Sequence, residues 1–201
     1  FYPSDYEGSS IFCDPHFFNP DDRYSVYMGI NSKLRRCFYE RDTAEYILEY
    51  ILKFLETYKN ERKFFRLISN DAHEGTLELV KYMDNALHDF LLEILTKYFD
   101  EKTLIVFLSD HGGSLAGAYE LILSEDKNFE KVLGFLYIIL PKNSSYNEIV
   151  EYNEQRFVTP YDIFGTYIDI LYSKDDKPNF YFNGQSLLEK INGLERSCKT
   201  Y

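Results

Sequence analysis

Residues 103–108, TLIVFL, form an unbroken apolar and β-branched run. A strand with one wet face alternates polar and apolar residues, so a run without alternation fits a strand covered on both faces. No other feature of the sequence limits the fold so tightly, because such a strand needs a layer of structure on each side. The run then stops in Ser109, Asp110, His111, Gly112 and Gly113, a carboxylate and an imidazole ahead of two glycines. A second run of the same kind, VLGFLYIIL at 132–140, is closed by Pro141.

The covering layers are legible as helices. Asp42 and Thr43 supply a cap, and Ala44, Ile47, Leu48, Ile51, Leu52 and Leu55 follow at helical spacing. A second helix is expected from about residue 76 to 98, with Val80, Met83, Leu87, Leu91, Ile94, Leu95 and Tyr98 on its apolar stripe. Asp84 falls on that stripe, where a carboxylate hydrogen-bonded to a backbone turn is a better reading than a catalytic one. A third, VTPYDIFGTYIDIL at 158–171, has Thr159 as N-cap and Pro160 at its first helical position. KFFRLIS at 63–69 is aromatic and β-branched and is expected to be a strand. Pro3, Pro15 and Pro20 make residues 1–42 an irregular N-terminal segment of the same domain, leaving 43–201 as its regular part. This order implies an α/β fold, a largely parallel sheet flanked by helices and forming part of one domain.

Composition narrows the partners. The 201 residues are 45% hydrophobic and 18% aromatic, enough to bury a core. A formal charge of -11 excludes the basic footprint that general nucleic-acid or anionic-membrane binding requires. An anionic substrate would need a metal or a local basic pocket. No apolar run approaches the roughly 20 residues of a membrane span. The chain opens on Phe1 without a secretory signal pattern, and is expected to be a fragment whose start lies upstream. Cys13, Cys37 and Cys198 lack zinc-knuckle spacing; Cys13 and Cys37 bracket a polar stretch that suits a disulfide as well as two free thiols.

Ligands of open α/β sheets bind beyond the carboxyl ends of the strands. Two predicted strands end in ionisable clusters. RLIS runs into Asn70, Asp71, Ala72, His73 and Glu74, and IVFL runs into Ser109, Asp110, His111 and Gly112. A crossover helix between parallel strands would bring both clusters to one rim. Asp and neutral His ligate Zn²⁺ and Mn²⁺, and Asp also suits Ca²⁺ and Mg²⁺. On residues alone the competing reading stays open: Asp71 and Asp110 as caps, His73 and His111 as satisfied surface residues. His88 lies off the stripe and is expected to be solvated, and His16 has no partner. Ser69, Ser109 and Ser114 sit near the clusters, but none lies in a G-x-S-x-G elbow, and no phosphate loop is present.

TLIVFLSDHGG resembles the signature strand of the alkaline phosphatase/sulfatase superfamily, where an apolar strand delivers an Asp-His pair to a catalytic metal. YMDNALHDFLLEIL (82–95), GFLYIILP (134–141) and FVTPYDIFGTYIDIL (157–171) resemble that superfamily's flanking elements in the expected order. With NGQSLL and ERSC near the C-terminus, the chain looks most like a sulfatase-like family of eukaryotic, often extracytoplasmic proteins. The similarity spans about residues 60–198. It implies that Asp110 and His111 bind a divalent metal ion (Ca, Mn, Zn or Mg), with Asp71 as a third ligand, although Asp-x-His stands here where two-metal phosphatases have Asp-x-x-x-His. His73 takes the position of an oxyanion-binding histidine. The absence of any histidine after His111 implies a one-metal, sulfatase-like or phosphoglycerol-transferase-like site. The segment GGSLAG departs from the basic residue often found just after the signature. The implied nucleophile and N-terminal acidic ligand have no counterpart here and are expected upstream of Phe1.

The function implied is a metal-dependent hydrolase or transferase of sulfate or phosphate esters, in the extracellular space or secretory-pathway lumen. Its ligand would be a sulfated or phosphorylated small molecule, glycan or lipid headgroup, and the fragment alone is expected to be inactive. The alternative is a catalytically silent sulfatase-like ectodomain acting as a binding module.

Overall fold

Tyr39 and Glu40 both adopt positive φ, 47° and 66°, although neither is glycine. That pair is the two-residue turn that closes a tight hairpin with the correct twist. It joins β1 (Cys37–Phe38) to β2 (Arg41–Asp42), antiparallel with Cys37 opposite Asp42 and Phe38 opposite Arg41. A small hairpin therefore ends the segment expected to be irregular. The computed structural model describes residues 37–69, 80–112, 131–172, 183–191 and 196. They fall in two compact units: the first holds residues up to 99 and 108–136, the second 100–107 and 137–201.

In the first unit, Asp42 ends β2 and caps α1 (Thr43–Thr57), its carboxylate accepting the Ala44 N–H at 2.9 Å. Such a cap contributes about 1 kcal/mol. Arg41 holds the hairpin to the helix, with its guanidinium 3.3 Å from Glu45, 2.9 Å from Glu49 and over the Tyr46 ring. The apolar face of α1 is the expected one: Ala44, Leu48 and Ile51 are buried, and Ile47, Leu52 and Leu55 pack at its margin. It meets α2 (Val80–Lys97) through Phe90, flanked by Ala86, Leu87, Leu91 and Ile94.

The stripe of α2 thus differs from the sequence expectation. Phe90 is its buried centre, and Val80, Leu95 and Asp84 are exposed. At 100° per residue, Asp84 lies about 120° around the helix from Phe90, so its carboxylate faces away from α1 and needs no buried partner. His88 is solvated as expected, 3.0 Å from Asp89.

KFFRLIS is not a strand. Residues 62–69 are irregular, and Phe64 and Ile68 are 61% and 68% exposed. A β-prone run becomes a strand only against a partner, and among the described residues none pairs with it.

The apolar runs do form strands, β3 (Ile105–Leu108) and β4 (Leu136–Ile139), which pair in a two-stranded sheet. The Ser109 N–H donates to the Phe135 carbonyl at 3.1 Å, so the end of β3 lies beside the start of β4. The two strands therefore run in opposite directions. The described sheets are two-stranded and antiparallel, so the fold is mixed helix and sheet, without the expected parallel sheet among the described residues. Leu108 and Tyr137 are exposed and the other residues of β3 and β4 half-buried, so neither strand is fully covered on both faces.

In the second unit, α3 (Asn147–Asn153) and α4 (Pro160–Leu171) are joined by a short turn. Thr159 caps α4 and Pro160 opens it, as expected. Residues 183–191 lie against both helices. Leu187, Ile191 and Ile168 are buried, and Asn153 stitches the segment down with three bonds. Its amide donates to the carbonyls of Leu187 (3.0 Å) and Glu189 (2.9 Å) and accepts the Ile191 N–H at 3.0 Å. Among the described residues no helix is long and apolar enough to cross a membrane.

Candidate functional site

Asp110 and His111 leave the sheet where β3 ends. Past Leu108 the strand ends and the chain bends at Asp110, where the Asp110 and His111 side chains come within 3.6 Å of each other. Asp110 Oδ1 accepts the His111 N–H at 3.0 Å. The His111 Nδ1 lies 2.6 Å from the Gly112 carbonyl oxygen. A carbonyl can only accept, so Nδ1 carries a proton; in the neutral tautomer this leaves the lone pair on Nε2. Nε2 lies 3.6 Å from Asp110 Oδ2. The Asp110 side chain is 88% exposed and that of His111 44%. The result is an oxygen donor and a nitrogen donor side by side, open to solvent.

The donor set fits a divalent cation. Metal bonds to His nitrogen and carboxylate oxygen are about 2.0–2.2 Å, so one ion can reach two donors separated by this distance. A backbone carbonyl that fixes the distal nitrogen is the usual companion of a ligating histidine. Among the described residues no group of three or more His, Cys, Asp or Glu side chains converges. Asp71 and His73 lie outside the described residues, and the segment that leads to them is irregular rather than a strand. The expected convergence of two strand ends on one rim is therefore carried by one strand end, that of β3. Cys37 is an exposed free thiol, and Cys13 and Cys198 lie outside the described residues.

At the base of the turn, Gly134 escaped the sequence reading, and Ser109 was noted there without this contact. The Phe135 N–H donates to Ser109 Oγ at 3.0 Å, and a Cβ on residue 134 would overlap the Ser109 carbonyl oxygen. Ser109 Oγ is thus an acceptor that joins the end of β3 to the start of β4. The lone Gly134 inside the apolar run VLGFLYIIL was the available signal, since a glycine in a strand pattern often marks close backbone approach.

The VTPYDI segment carries a different device. Asp162 is 0% exposed, and its carboxylate accepts four bonds. Oδ2 takes the Thr159 N–H (2.7 Å) and hydroxyl (2.9 Å), and Oδ1 takes the Gln185 N–H (2.8 Å) and the Arg196 guanidinium (2.7 Å). Burial pushes this carboxyl up, but the Arg196 ion pair and the bonds from Gln185 and Thr159 outweigh it and hold it below the usual range. The Thr166 hydroxyl donates to the Asp162 carbonyl at 2.7 Å and accepts the Leu187 N–H at 2.8 Å. A Cβ on residue 184 would overlap the Tyr161 carbonyl. TPYD, NGQSLL and Arg196 are therefore one clamp, and every acceptor site of Asp162 is used within it.

The family "Protein of unknown function (DUF229)" matches residues 24–201. The chain belongs to the DUF229 family. DUF229 is a sulfatase-like family, and the match takes in both the Asp110–His111 turn and the clamp. No curated protein and no solved structure matches this DUF229 chain.

Proposed function

We propose that this DUF229 chain is the C-terminal part, over residues 43–201, of a metal-dependent hydrolase or transferase of sulfate or phosphate esters. In this reading β3 and β4 belong to an alkaline-phosphatase-like sheet. The observation that carries it is the Asp110–His111 pair, with Oδ2 and Nε2 3.6 Å apart at the end of an apolar strand. Membership in a sulfatase-like family supports it.

Asp110 would hold the ion through its carboxylate and His111 through Nε2, with Asp71 as a third ligand. A divalent ion so bound polarises an ester oxygen and stabilises the charge that develops there. A nitrogen donor beside the carboxylate favours Mn²⁺ or Zn²⁺ over Ca²⁺ or Mg²⁺. His73, protonated, donates to a non-bridging oxygen of the ester. None of these residues takes the attacking role. The ligand is a sulfated or phosphorylated small molecule, glycan or lipid headgroup, met outside the cytosol. That class and that compartment rest on the family resemblance.

Titration of the chain with Mn²⁺ tests the reading. Binding is expected in the wild type, with at least a 100-fold loss in Asp110→Ala and in His111→Ala. Unchanged affinity in Asp110→Ala would overturn it. A wild type that binds no divalent ion would favour the silent binding module instead.

A further inference from the structure

Residues directly opposite in an antiparallel hydrogen-bonded pair exchange two N–H···O=C bonds. Ser109 and Phe135 make only one of them, from Ser109 N–H to the Phe135 carbonyl at 3.1 Å. The return bond goes elsewhere: the Phe135 N–H donates to Ser109 Oγ at 3.0 Å. The hydroxyl has taken the place of the main-chain carbonyl. That carbonyl is instead turned against the Cα of Gly134, in space that a Cβ would fill. The ladder therefore ends through a side chain, and the main chain is free to swing out of the sheet at the very next residue, Asp110.

We propose that Ser109 and Gly134 are positioning residues, together locking the take-off of the Asp110–His111 turn; as a metal-site lock this rests on the function proposed above. Among the described residues the turn itself is held by its own short-range bonds, from His111 N–H to Asp110 Oδ1 and from His111 Nδ1 to the Gly112 carbonyl. Those bonds orient the two donors relative to each other. Among the described residues, the 109/134–135 contact is what ties them to the sheet, and ligand placement must hold to within about 0.5 Å for a site to bind well. The Phe135 N–H lies in an exposed bond, so water can replace the hydroxyl as its acceptor. Loss of Oγ then costs placement far more than stability. Threonine retains an acceptor at the same atom and serves as the conservative replacement.

The test uses the full chain with Mn²⁺ as the probe, and Ser109→Ala, Ser109→Thr and Gly134→Ala as variants. Backbone amide shifts of residues 109–112 are recorded without metal, alongside the melting temperature. Ser109→Ala is expected to bind Mn²⁺ about 10- to 100-fold more weakly, the range typical of a lost supporting partner. Its amides at 110–112 shift while melting is nearly unchanged, and Ser109→Thr restores both readouts. Gly134→Ala shows the same weakening or a larger one. Wild-type affinity and unshifted amides in Ser109→Ala would overturn the lock. Failure of the wild type to bind Mn²⁺ would overturn the metal reading separately, and the amide shifts would then decide the lock alone.

Discussion

Asp110 and Asp162 are the same residue put to opposite uses. Asp162 is fully buried, accepts four hydrogen bonds and pairs with Arg196. Asp110 is almost wholly exposed and accepts one main-chain bond from its neighbour, with His111 Nε2 at 3.6 Å. A carboxylate whose lone pairs are all used has nothing left for a ligand; one with open lone pairs beside a free imidazole nitrogen does. Both lie within the stretch matched by the family, and burial and bond count are what separate them.

The largest effect should come from Asp162→Ala. It leaves Arg196, with a side chain only 10% exposed, buried without its carboxylate, and removal of one partner of such a pair costs about 3–5 kcal/mol. Denaturant unfolding measures this. The same clamp sets an acid limb. Asp162 titrates lower in the folded chain than in the unfolded one, so its contribution is complete above the ordinary carboxylate value of about 3.9. It is lost as pH falls through the lower folded value. Melting temperature should therefore fall below about pH 4, and Asp162→Asn should flatten that dependence. An unchanged acid limb in Asp162→Asn would break the assignment.

Gly184→Ala should be intermediate. The added methyl meets the Tyr161 carbonyl, a main-chain atom at the start of α4, and the forced shift costs about 1–3 kcal/mol. Asp110→Ala should be the smallest in stability, within about 0.5 kcal/mol, because the side chain is 88% exposed. A large drop in melting temperature for Asp110→Ala would make the two aspartates alike and remove the contrast.

Much of the local structure was legible in the sequence. The Asp42 and Thr159 caps, the faces of α1 and the apolar cores of β3 and β4 all follow from patterns within a few residues. KFFRLIS failed because its strand character needed a partner that composition cannot supply. Asp84 failed because the width of an apolar stripe does not reveal which residue is its centre; Phe90 was, and the carboxylate fell outside.

For the candidate site, the sequence by itself determined that a carboxylate and an imidazole follow an apolar strand, and that glycines follow them. Only the tertiary structure decided how those groups are held. Ser109 meets Phe135 26 residues away, Asp162 meets Arg196 34 residues away, and Asn153 meets Ile191 38 residues away. Helical periodicity and capping act over three or four residues, so they leave their mark on the local sequence. Contacts at those longer separations come into being only when the chain packs, and whether an aspartate is a clamp or an open ligand is settled there.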